Sequence, residues 1–106
     1  MDVPSQAGSP LSLATFANHV GGRFRIGVDG VSPVEVELVE ASGLPSGRVS
    51  GPAGREPFSL VFLGPPLPLL PQRIYGFEHE VLGRLEIFIV PIGRDQRGAR
   101  YQAIFH

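Results

Sequence analysis

Glu78-His79-Glu80 is the one place in the chain where an imidazole sits directly between two carboxylates, an arrangement that could shift its titration or begin a metal site. Neighbouring side chains of a strand leave on opposite faces, however. Glu78 and Glu80 would then share a face while His79 points away, and the role expected of His79 is to hydrogen-bond the turn before Leu82-Gly83. His19 and His106 have no partner fixed by spacing.

The hydroxyls are poorly placed for nucleophilic catalysis. Ser46 and Ser50 lie among glycines without forming a Gly-x-Ser-x-Gly elbow, and Ser59 falls inside an apolar strand pattern instead of a strand-to-helix turn. Gly43, Gly47, Gly51 and Gly54 are spaced like a phosphate loop, but that chemistry needs a lysine and a following helix. All 9 basic residues are arginine, so Schiff bases and lysine general bases are excluded as well. Without cysteine, thiol nucleophiles, disulfides, zinc–thiolate sites and iron–sulfur clusters fall away. The expectation is a protein that is no enzyme and uses no metal and no cofactor.

One cluster has the makings of a contact. Arg94, Arg97 and Arg100 crowd a polar loop beside Tyr101, and arginines with an aromatic ring can clamp phosphate or stack a base. The charge balance argues against that use: 9 cations against 10 acids leave a net charge of -1, too little to gather nucleic acid or an anionic membrane. A solvated rim, or pairing with the Glu35 and Glu37 face of another subunit, is the expected role.

These groups must be positioned by strands. Phe58-Ser59-Leu60-Val61-Phe62-Leu63 is apolar on both faces and reads as a central strand. Before it, Phe24, Ile26 and Val28 alternate with Arg23, Arg25 and Gly27, and Asp29-Gly30 begins the connection to an alternating strand over Val34–Val39. After it, Arg73–Glu78 and Arg84–Val90 form a second hairpin through His79–Gly83, with Pro91 expected to end its second strand. A last strand covers Arg100–Phe105. Ser12 caps a short helix from Leu13 to about His19, with Leu13, Phe16 and Val20 at helical spacing, Gly21-Gly22 as its stop, and Phe16 expected to pack on the sheet.

Short strands with hairpin-length links favour antiparallel pairing, because no link holds a crossover helix. The fold class is therefore all-β: a small six-stranded antiparallel barrel or two-layer sandwich with a short N-terminal helix. Residues 1–11 read as a flexible lead-in to a single domain over 12–106, and 42–57 as a long structureless loop. The stretch Gly64–Pro71 has too many prolines to join a ladder, and it is expected to cross one end of the core and bury its leucines. The greasiest window, Phe58 to Leu70, is cut by Pro65, Pro66 and Pro68 and falls short of the roughly 18 residues of a membrane span. With no classical export signal visible, a soluble cytoplasmic protein without a membrane or nucleic-acid partner is expected.

Phe16, Gly22, Phe24, Phe58-Ser59-Leu60, Phe62, Gly64-Pro65, Leu70, Tyr75, His79, Leu82-Gly83, Phe88, Val90-Pro91, Tyr101 and Phe105 follow in an order that resembles a small bacterial all-β family known only as a domain of unknown function. Its members sit in genomes near proteins similar to phage-tail fibres of the collar type. The resemblance implies a part in assembling or presenting a tail-like structure, with no activity or cofactor to carry over. The residues themselves point the same way, since the apolar strands and the Leu67 and Leu69 crossover offer more greasy surface than one small interior needs. A structural, adaptor or assembly module working through a protein partner or a homo-oligomer is the leading expectation. Its expected contact residues are Arg94, Arg97, Arg100, Tyr101, Leu67 and Leu69, and a barrel enclosing a small apolar ligand is the alternative.

Overall fold

A computed structural model describes residues 12–28, 30, 32–44 and 57–105. The expected lead-in over 1–11 and most of the expected loop, 45–56, lie outside the described residues. Helix α1 (Leu13–Ala17) begins where Ser12 predicts, with the Ser12 Oγ accepting a hydrogen bond from the Thr15 amide at 3.3 Å. It is shorter than expected, because Asn18 already takes the C-cap. Val20 lies past the helix and is exposed.

Among the described residues six strands follow: β1 (Arg23–Ile26), β2 (Val34–Gly43), β3 (Phe58–Gly64), β4 (Arg73–His79), β5 (Gly83–Asp95) and β6 (Gly98–Phe105). Every pairing is antiparallel, and the order β1-β2-β3-β6-β5-β4 returns to its start as a closed barrel. Closure depends on stagger. β2 pairs with β1 up to Glu37 and with β3 from there onward, while β5 pairs with β4 up to Ile89 and with β6 from Val90. Each long strand thus bridges two neighbours, the offset that lets a sheet curl shut.

Both long strands carry a bulge that the sequence hid. In β2 the register shifts between Leu38 and Glu40, which moves the inward positions from Val34, Val36 and Leu38 to Ala41. In β5 a second shift lies between Pro91 and Gly93. Pro91 does not end the strand as expected. Beyond Ile89 only β6 flanks β5, so a residue lacking an N–H is tolerated there, and pairing continues to Asp95 opposite Gly98.

The interior is filled by side chains. Phe24, Phe62 and Phe77 meet with ring centroids 5.1 to 6.3 Å apart, and Leu38, Leu60, Ile87 and Ile89 close around them. At one end α1 presses the buried Phe16 ring on Phe58 and Phe105, which stack at 4.8 Å across β3 and β6. The opposite end is crossed by the proline-rich link between β3 and β4. There Leu70 is buried and its amide donates to the Tyr101 hydroxyl at 3.0 Å, while the Tyr75 hydroxyl donates to the Pro71 carbonyl at 2.7 Å.

Candidate functional site

Alternation puts Arg25, Glu35, Glu78 and Arg84 on the outer wall of the ring, and the register lines them up. Arg25 faces Glu35 on one side and Glu78 on the other, and Glu78 in turn faces Arg84, so one rung of alternating charge crosses β2, β1, β4 and β5. Arg23 reaches diagonally to Glu35 at 3.2 Å and Arg25 donates to Glu78 at 3.4 Å. Exposed pairs of this kind contribute little stability, roughly 0 to 1 kcal/mol each, but they hold the guanidinium and carboxylate groups in place. Glu35 is thereby engaged within its own chain.

Along the same wall the next rung, Gly76 facing Glu86, keeps one carboxylate, and beyond it the charge ends: Ile74 faces Phe88, with Ile74 59% and Phe88 48% exposed. An apolar pair therefore stands directly across two strands on a face that an antiparallel sheet normally gives to polar residues. Neither residue was singled out by the sequence for a contact, because alternation reveals the inner set and leaves the outer set unassigned. The register of β4 on β5 is what brings them together.

A cleft of about 380 Å³ opens where β1 leaves β4, lined by Arg25, Gly27, Val28, Pro33, Gly76, Glu78 and Arg84. Only two residue pairs join these strands as a ladder, supplemented by the Gly27 amide donating to the Gly76 carbonyl at 2.9 Å. Two of the lining residues are glycines, and the Arg84 guanidinium lies close to one of them: a Cβ at Gly76 would lie 3.9 Å from its Nη2.

The residues expected to make contacts are divided by the structure. Leu67 is 69% and Leu69 45% exposed on the crossover, so these leucines reach solvent and only Leu70 is buried there. Arg94 and Arg97 are exposed at the β5–β6 turn. Arg100 is tied to Asp95 at 3.1 Å, and the Arg97 amide donates to the same carboxylate at 2.9 Å. The Arg100 hydrogen bond, followed by that of the Arg97 amide, holds the Asp95 carboxyl below its ordinary pKa. Tyr101 contradicts the expectation. It is 1% exposed, its side chain inside the ring opposite Phe62, so it offers no face to a partner or a base.

His79 takes the role its position suggested. Its Nδ1 accepts hydrogen bonds from the amides of Val81 and Leu82, both at 3.0 Å. The ring packs 4.5 Å from Phe24 and 4.7 Å, edge on, from His19. Burial pushes its pKa down, the neighbouring His19 adds to that, and Glu80 opposes it. Among the described residues no three His, Cys, Asp or Glu side chains gather into a metal-binding group, and no helix is long and apolar enough to cross a membrane.

Fold and site together define a small closed antiparallel β-domain with a packed interior and its distinctive groups on the outer wall. A family described as a domain of unknown function (DUF6916) matches residues 11–105, and the chain belongs to that family. No curated protein and no solved structure matches it.

Proposed function

We propose that this domain is a non-enzymatic assembly module that docks to protein through the outer wall of β4 and β5. The observation that carries the reading is the exposed Ile74–Phe88 pair, continued along β5 by the half-buried Val90. Apolar side chains arranged across a rung form a surface that gains free energy when covered, at roughly 25 cal/mol per Å² of apolar area removed from water. Leu67 and Leu69, exposed on the link that leads into β4, add to the greasy surface. The alternative of a ligand-holding barrel loses ground, because the phenylalanines occupy the space a ligand would need. A tail-like bacterial assembly is the setting that the family resemblance supports.

Native mass spectrometry of the purified protein beside a Phe88→Glu variant tests the reading. The wild type is expected as a defined oligomer or in complex with a protein partner, and the variant as a monomer with an unchanged circular dichroism spectrum. A wild type that is a bare monomer at tens of micromolar and holds no partner overturns it, as does a variant that assembles normally.

A further inference from the structure

We infer that the cleft between β1 and β4 receives a carboxylate of the partner polypeptide, with Arg84 as the ligating group, while an apolar side chain of the same segment lies on Ile74 and Phe88. The inference rests on the assembly reading and gives the partner its chemistry.

The charge arrangement supplies the first half. Of the two arginines at the cleft, Arg25 is bonded to Glu78 at 3.4 Å, whereas among the described residues Arg84 forms no ion pair although Glu78 is its cross-strand neighbour. The rung thus ends in a cation whose planar fork suits a carboxylate. Its guanidinium lies close to Gly76, where the missing side chain leaves the backbone bare, and Val28 and Pro33 form an apolar flank. Glu78 sets the limit: against Arg25 and Arg84 it leaves one net positive charge at the cleft, which a single carboxylate matches and a multiply charged phosphate exceeds.

Spacing supplies the second half. On β4 the outward positions run Glu78, Gly76, Ile74, and on β5 Arg84, Glu86, Phe88. Four residues of strand separate the cation from the apolar pair, about 13 Å at the usual rise. An extended segment with an acidic residue four positions from an apolar one matches that distance, and Gly76 gives its backbone room to pass.

Two pentapeptides serve as probes in amide NMR titrations of the whole chain: acetyl-Phe-Ser-Gly-Ser-Glu-amide and its counterpart ending in Gln. The Glu peptide is expected to shift the Gly27, Gly76 and Arg84 amides saturably, with the Gln peptide at least about tenfold weaker. Arg84→Gln should remove that preference. Gly76→Val, which fills the notch on a strand tolerant of valine, should abolish binding while the melting temperature holds. Equal binding of both peptides, no saturable shift, or equal shifts with inorganic phosphate overturns the inference. If Phe88→Glu destroys the native assembly while Arg84→Gln spares both assembly and Glu-peptide binding, the cleft assignment fails and the assembly reading stands. If Phe88→Glu spares the assembly, the assembly reading itself fails.

Discussion

Replacing His79 separates three contributions that the structure superimposes on one ring. In His79→Ala the Val81 and Leu82 amides lose their acceptor and the contacts with Phe24 and His19 vanish. Two hydrogen bonds at about 0.5 to 1.5 kcal/mol each, with an aromatic contact of about 0.5 to 1.5 kcal/mol, give an expected loss of roughly 2 to 4 kcal/mol. His79→Asn isolates the first part, because an Asn carboxamide oxygen caps amides two and three residues ahead as Nδ1 does here. It should recover about 1 to 2 kcal/mol of the alanine loss, or roughly 4 to 16 °C of melting temperature for a domain of this size.

The same ring predicts a pH dependence. Protonation at Nδ1 would set a proton against two amide donors and place a charge beside His19, and the folded chain holds its pKa below the ordinary 6.5. The unfolded chain then binds more protons as the pH drops below 6.5, so His79's contribution is complete above 6.5 and lost as pH falls through the depressed folded value. Chemical denaturation of the wild type, His79→Ala and His79→Asn between pH 5 and 8 reads both effects. An asparagine variant no more stable than alanine, or a wild type whose stability rises between pH 6.5 and 5 relative to His79→Asn, refutes the reasoning.

Other substitutions probe the frame. Phe62→Ala empties a wholly buried site between Phe24 and Phe77 and should cost roughly 3 to 5 kcal/mol, so a melting temperature near wild type contradicts the packing. Tyr101→Phe keeps the ring but strands the Leu70 amide, an expected loss of about 1 to 3 kcal/mol with faster hydrogen exchange at Leu70. Gly98 has φ +145° and an added Cβ would run into the Gly64 carbonyl, so Gly98→Ala should destabilise by at least about 2 kcal/mol in thermal unfolding.

What the sequence made legible follows from which signals are local. Ser12 marks the helix start because capping involves only the next three residues, and β3 declares itself because apolar residues on both faces have nowhere to go but inside. His79 was legible for the same reason, since its partners lie two and three positions ahead. Pro91 misled because its tolerance depends on β4 reaching no further along β5 than Ile89, a fact of register. Tyr101 beside Arg100 read as a surface pair, but alternation sends one of them inward, and the tyrosine hydroxyl finds its donor on a crossover 31 residues away. The charged rung and the Ile74–Phe88 pair are properties of cross-strand alignment alone, so no inspection of single segments could assemble them.

Photocrosslinking from position 88 tests the central claim most directly. A benzophenone side chain at Phe88, on β5, is compared with one at Glu37, on β2 across the ring, in cells that make the protein natively. Docking through the β4–β5 wall predicts a discrete protein adduct from position 88 and none from position 37. No adduct at 88, or the same adduct from both positions, contradicts it.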